Sequence, residues 1–230
     1  MLFQGQYKQD KLLNYLFHGK TMGTFVDIGA HDGVTFSNSI FFEKHKNWSG
    51  VCVEPIPEVF EKLKQTRSCT CIQGCISSKQ GVEKFLRIKA DIVDTEMLSG
   101  LVADYDEKHI SRIEKEIQEH KGSKEEIEVK CYDINVILQQ EGQKRIDFFT
   151  IDTEGNEFKI LQTIHFDQFD IDIVLVENNY KDVEMRLFME EKGYTLIHRI
   201  GHDDIYRKKE NTSFYQSCIC ALFPRFLKRI

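Results

Sequence analysis

No window of 18 or more apolar residues occurs in the sequence, so no transmembrane helix is expected. The first residues lack a basic segment followed by an apolar run, so no secretory leader is expected. No Cys-x-x-Cys pair occurs among the seven cysteines, which argues against a structural zinc site. Their count is odd, and Cys52, Cys69, Cys71, Cys75, Cys131, Cys218 and Cys220 fall mostly in apolar, strand-like runs. They read as buried, reduced thiols of a cytoplasmic protein. An excess of Lys and Arg is also missing: 31 basic residues against 37 acidic ones leave a net charge of −6. Phosphate backbones demand clustered positive charge, so a nucleic-acid partner is disfavoured. Arg207-Lys208-Lys209 and the basic residues between Arg225 and Arg229 are local exceptions, and a solvated face is the simpler account of both. Internal repeats and long linkers are absent too.

What is present suits a packed domain. The chain has 230 residues and is 41% hydrophobic. That size buries roughly 70% of the unfolded surface without staples, and the composition excludes a disordered chain. One domain over residues 1–230 is expected, with 1–22 as an N-terminal segment and 91–130 as a helical insertion or lid. Leu2-Phe3-Gln4-Gly5 has the look of a protease-cleavage scar.

Helix and strand patterns alternate along most of the chain, which predicts an α/β fold with a mostly parallel sheet. Strands are expected at 24–28, 50–54, 69–76, 128–131, 147–152, 171–177, 194–200 and 204–207. Helices are expected at 11–17, 38–46, 57–65, 105–120, 134–140, 158–164 and 182–192. The long helix carries Ile110, Ile113 and Ile117 on one stripe, with Arg112/Glu116 and Lys115/Glu119 at i,i+4. In the apolar tail, 215–223 reads as a final strand; a dimer contact or a membrane-surface contact is the alternative.

Four motifs carry chemistry. In Phe25-Val26-Asp27-Ile28-Gly29-Ala30-His31-Asp32-Gly33 an apolar strand ends in a glycine-rich turn, where a ligand can approach bare backbone. The spacing is not the Gly-x-Gly-x-x-Gly of dinucleotide sites, which disfavours a nicotinamide oxidoreductase. An acid at Asp27 repels a pyrophosphate but engages an ammonium group, so a ligand with a free amino acid end, such as S-adenosylmethionine, suits the loop. An ordinary β-α turn is the plain alternative. Val51-Cys52-Val53-Glu54-Pro55 ends a second strand in a carboxylate, whose two acceptors match the two donors of a ribose diol. Ile151-Asp152-Thr153-Glu154-Gly155-Asn156-Glu157 crowds three carboxylates at a strand end. They suit cofactor orientation, base catalysis or metal binding, unless Thr153 or Asn156 merely caps the next helix. Val176-Glu177-Asn178-Asn179-Tyr180 closes another buried strand, beside Asp152 if the strands are neighbours.

With Gln6-Tyr7-Lys8-Gln9-Asp10, these stretches resemble the FkbM-like S-adenosylmethionine-dependent methyltransferases, in order along nearly the whole chain. Ile-Asp-Thr-Glu-Gly-x-Glu is the most specific of them. The resemblance implies a Rossmann-like class I methyltransferase fold. Its mostly parallel seven-stranded sheet is flanked by helices, has an antiparallel last strand, and carries a helical insertion. It implies O-methylation of a sugar, glycan or similar hydroxyl acceptor. It also implies that Asp27 holds the methionine end, that Gly29, His31 and Gly33 line the cofactor loop, and that Glu54 with Pro55 holds the ribose. Cys75, Ile76 and Ser77 would meet the adenine edge. Gln9 and Asp10 would fold over the cofactor, and Asp152 and Glu154 would lie at the methyl-donor end. The segment Glu96-Met97-Leu98-Ser99-Gly100-Leu101 would help shape the acceptor pocket.

A hydroxyl acceptor needs alignment and a base. Asp152 and Glu177 are the first candidates for the base; Glu154 and His202 follow. A divalent metal on Asp152 and Glu177 is the other way to acidify the hydroxyl. A non-catalytic binding module and a nucleic-acid methyltransferase are the competing functions, and the tail leaves a homodimer open.

Overall fold

The computed structural model describes residues 2–78, 80–105 and 107–211. In chain order the first half runs α1 (Gln9–Leu16), β1 (Thr24–Ile28), α2 (Ile40–Lys46), β2 (Ser49–Glu54), α3 (Pro57–Thr66), β3 (Thr70–Gln73) and β4 (Cys75–Ile76). There follow β5 (Gly81–Lys89), α4 (Val93–Glu96), β6 (Gly100–Leu101), α5 (Glu107–Glu119) and β7 (Ser123–Tyr132). The rest is α6 (Ile134–Gln140), β8 (Arg145–Ile151), α7 (Glu157–Thr163), β9 (Asp170–Glu177), α8 (Val183–Glu191), β10 (Tyr194–Ile200) and β11 (Asp203–Lys208). Local signals explain several boundaries. Pro57 opens α3, and the side chains of Asp133 and Asp182 accept backbone N–H groups at the starts of α6 and α8.

Seven strands form the main sheet in the order β10-β11-β9-β8-β1-β2-β3. β1, β2, β3, β8 and β9 run parallel. β11 is antiparallel to both its neighbours, β9 and β10. The class I methyltransferase architecture expected from the sequence is present, including the antiparallel last described strand. Residues 212–230, with the strand expected at 215–223, lie outside the described residues.

Strand alternation sends side chains to two cores. Val26, Phe149, Val174 and Val176 pack with Leu138 of α6, Leu161 of α7 and Met189 of α8. Their neighbours Phe25, Phe148, Ile173 and Leu175 pack on the opposite face with Leu13 of α1, Phe42 of α2 and Leu63 of α3. Because both faces are covered, the central strands carry apolar residues on both faces rather than alternating. The segment around Phe3 is packed as well, with the Phe3 and Phe41 ring centroids 4.4 Å apart.

The single strand expected at 69–76 is instead two. Gly74, at φ +150°, turns the chain out of the main sheet, and a Cβ there would lie 2.5 Å from the Lys130 carbonyl oxygen. Beyond it a second sheet forms in the order β4-β7-β5-β6. Its backbone is a long antiparallel ribbon of β5 and β7, paired from Gly81↔Cys131 to Lys89↔Ser123. The expected long helix is present as α5, and the ribbon that carries it was not anticipated. Ile113 of α5 is buried against Ile88 and Leu98, whereas Ile110 is exposed. Lys115 pairs with Glu119 as expected. Arg112 reaches away from α5 to Glu154. Among the described residues, no helix is long and apolar enough to cross a membrane.

Candidate active site

The connections of the main sheet reverse direction between β1 and β8, and parallel sheets open a crevice at the carboxyl ends of such strands. A cleft of about 570 Å³ lies there, between the main sheet and the second sheet. Ligand sites typically occupy roughly 300–1,000 Å³.

The floor is backbone. The amides of Gly29 and Ala30 both donate to the Val53 carbonyl, and the Asp152 amide donates to Ile28 at 3.0 Å. A Cβ on Gly29, whose φ is +85°, would sit 1.8 Å from the Asp152 carbonyl oxygen, so only glycine lets the β1 and β8 loops meet. His31 and Glu154, one in each loop, also hold left-handed backbone at φ 50° and 57°. Non-glycine residues in that region concentrate at functional sites.

Two acids stand under the first loop. Asp27 is 5% exposed and accepts a hydrogen bond from the Ser39 hydroxyl. Burial pushes its carboxyl up; the Arg67 charge and Ser39 oppose that. Glu54 is 4% exposed and accepts the His31 amide at 3.0 Å on one oxygen and the Ile56 amide at 2.9 Å on the other. Burial lifts it to about 7 against those bonds.

A third group of acids lies at the ends of β8 and β9. Asp152, Glu154 and Glu177 each offer an oxygen within 4.8 Å of the others. Asp152 is open to the cleft but ringed by protein and acids. Burial first, and then the Glu154 charge, hold it well above the ordinary carboxylate range. Glu177 is raised by burial and by Asp152. Its Oε2 is buried and has no hydrogen-bond partner among the described residues. Glu154 is lifted to about 7 by burial, with Arg112, 3.5 Å away, opposing.

Of the residues singled out from sequence, the structure brings together Gln9, Asp27, Gly29, His31, Glu54, Pro55, Cys75, Ile76, Asp152, Glu154, Glu177 and His202 around the cleft. Three stand elsewhere. Asp10 is fully buried and accepts the Gln4 and Lys11 amides, closing the N-terminal turn. Gly33 faces Leu63, Thr66 and Arg67 of the α3 region. Ser77 is tied to Tyr132 through its amide. Glu157 is not one of the clustered acids. It folds back on its own loop, accepting the amides of Thr153 and Gly155, and the N-cap of α7, Asn156, makes no side-chain capping bond. Glu177 stands beside Asp152, as expected if β8 and β9 are neighbours, and completes the cluster.

Several cleft residues were not anticipated. Asp203 at the start of β11 accepts from the Gln9 side chain, which fastens α1 across the cleft. The Tyr7 ring lies edge-on to His202 beside that clasp, with centroids 6.0 Å apart. Asn38 donates to Thr150 while its buried Oδ1 has no hydrogen-bond partner among the described residues. These contacts join residues more than 100 positions apart, and no local pattern announces them.

A family model for the methyltransferase FkbM domain matches residues 27–196. Among proteins of curated function, none matches the chain in sequence. Several solved structures resemble it in fold. TrmK of M. capricolum, in complex with S-adenosyl-homocysteine, is 10% identical with a TM-score of 0.45, covering 95% of this chain and 87% of that one. The METTL16 methyltransferase domain is 9% identical with a TM-score of 0.45, covering 88% and 66%. A methyltransferase from Pyrococcus furiosus is 14% identical with a TM-score of 0.38, covering 87% and 83%. Likenesses this distant say nothing about acceptor or mechanism.

Proposed function

The chain belongs to the FkbM methyltransferase domain family, and on that premise we propose that it moves the methyl group of S-adenosylmethionine to a hydroxyl oxygen of a sugar, glycan or similar small acceptor. Methyl transfer follows from the family. The choice of acceptor rests on one observation: eight carboxylates line the cleft, and Arg112 is the one Lys or Arg among the described lining residues. A phosphate-rich nucleic acid would meet net repulsion there, since such ligands are held by clustered cations. A neutral polyol meets abundant hydrogen-bond acceptors instead.

In this reading Asp27 and the unpartnered Oδ1 of Asn38 take the ammonium of the cofactor, and Glu54 takes the ribose diol. Cys75 and Ile76 border the adenine, and the N-terminal clasp through Gln9 covers it. The reacting methyl then points at Asp152 and Glu177. The sulfonium is already electrophilic, so the protein's task is alignment plus removal of the hydroxyl proton as the bond forms. Asp152 or Glu177 receives that proton. The crowding that raises their proton affinity also suits a base, because a carboxyl with an ordinary pKa would hold a proton too weakly near neutrality.

The same three carboxylates fit a hard divalent cation: the donors are all oxygens, and one is buried without a partner. Such an ion would supply Lewis acidity toward the acceptor oxygen, held by Asp152, Glu154 and Glu177. The thiols of Cys52, Cys69 and Cys71 support a reducing, cytoplasmic setting.

Incubation with isotope-labelled S-adenosylmethionine and a panel of unmethylated sugars tests the proposal, with structured RNA as the competing arm. Label in RNA but in no sugar would overturn it. Turnover that survives a chelator assigns the proton to a carboxylate alone. Loss under the chelator, restored by Mg²⁺ or Mn²⁺, assigns the cation.

A further inference from the structure

We propose that Ser39 and Arg67 form a relay that positions Asp27 for the amino acid end of the cofactor, making Arg67 and Ser39 positioning residues remote from the reacting atoms. The inference rests on the cofactor reading above and adds two residues to it.

Arg67 follows the last turn of α3, and its side chain is completely buried. A charge without water needs partners, and its partners show what it organises. Nε pairs with Glu43 of α2. Nη1 donates to the Gly33 carbonyl at 3.3 Å and to the Ser37 hydroxyl at 3.4 Å. Nη2 donates to the Ser39 hydroxyl at 2.9 Å. One guanidinium therefore gathers the whole segment between the glycine-rich turn and α2.

Ser39 occupies the N-cap position of α2, where a serine side chain normally accepts an amide of the first turn and adds about 1 kcal/mol. It makes no such bond. It is 0% exposed, and its hydroxyl proton goes to Asp27 instead. Its oxygen accepts from Arg67 and its proton is directed to Asp27, the Ser37 hydroxyl at 3.4 Å being the more distant partner. The chain Arg67→Ser39→Asp27 thus locks one carboxylate oxygen and fixes the orientation of the other. Glu43 pairs with the guanidinium, and both the Arg67 charge and the Ser39 hydrogen bond favour the ionised form of Asp27. The other ionisable groups facing Asp27 are Cys52 of β2, Cys69 before β3, and Asp152. None of them is a cation, which leaves the relay as the support for the ionised form.

Two ligands separate this role from a structural one. S-adenosylhomocysteine and 5′-methylthioadenosine share the adenosine, but only the first carries an amino acid end. Ser39→Ala should weaken S-adenosylhomocysteine in calorimetry by roughly 10- to 100-fold, the range for a hydrogen bond to a charged group. Methylthioadenosine should change by less than twofold. Ser39→Thr keeps the hydroxyl and should restore the loss. Arg67→Lys still reaches Glu43 but cannot fork to Ser39, so it should show the same selective loss and serves if Ser39→Ala does not fold. Equal weakening of both ligands, or of neither, overturns the relay and leaves the cofactor site standing. A wild-type protein that binds neither ligand overturns both.

Discussion

Lowering the pH from 8 to 6 should weaken cofactor binding about tenfold through Glu54 alone. Its carboxyl titrates at about 7 in the empty cleft because burial outweighs the two backbone amides that favour its charge. It is therefore roughly 90% ionised at pH 8 and 10% at pH 6. Ribose hydroxyls donate to the ionised form, so binding pulls the pKa down and releases a proton. Affinity is then full above pH 7 and declines up to tenfold per unit below it. The stability of the empty protein runs the other way. A carboxyl raised from 4.5 to about 7 on folding favours the fold below pH 4.5, and that contribution is lost as pH rises through 7. The span is about 3 kcal/mol. Glu54→Gln removes both effects. An amide offers one acceptor where two donors now point, so it should cost roughly 10- to 100-fold in affinity at pH 8. The assay is calorimetry with S-adenosylhomocysteine in two buffers of different ionisation enthalpy, which also counts the released proton. Asp203, at about 6, and Glu154, at about 7, titrate nearby, so the decisive quantity is the difference between wild type and Glu54→Gln. Parallel pH slopes in the two proteins would refute the assignment of Glu54 to the ribose.

Asp152→Asn should lower kcat by roughly 10² to 10⁴ and leave S-adenosylhomocysteine affinity within about threefold; full turnover would remove Asp152 from the chemistry. Gly29→Ala should cost at least about 3 kcal/mol, a fall of roughly 6–12 °C in Tm, because the added methyl collides with the Asp152 carbonyl. An unchanged melting curve would refute that contact. Ile113→Ala empties the small core under α5 and should loosen the second sheet by about 2–4 kcal/mol. Acceptor KM should rise while S-adenosylhomocysteine binding holds, and equal damage to both would show that α5 supports the cofactor half as well.

The main sheet was legible because its strands are buried on both faces. Ile171 to Val176 has no polar alternative to a central strand, and acids at 27, 54, 152 and 177 stand in or at the ends of such strands. The second sheet was hidden by the opposite property. β5 and β7 pair Lys84 with Glu128 and Arg87 with Glu125, so their polar ribbon reads as solvated charge. At the site, Glu177 was legible beside Asp152 as an acid ending a buried strand, and β8 and β9 are neighbours. Glu157, close to Asp152 along the chain, turns back on its own loop instead. Arg67, Ser39, Asn38 and Asp203 had no local signature, because each acts through a partner on a distant element.

The excursion that starts at Gly74 returns beside its own starting point, since Cys75 pairs with Cys131 and Ile76 with Tyr132. Everything between them, including Phe85, Met97 and Arg112 of the cleft wall, is carried on two adjacent backbone tethers. Exchange of residues 77–130 would leave the pairing of the seven-stranded sheet untouched. On the function proposed above, such a cassette swap would change the acceptor side of the cleft without rebuilding the scaffold.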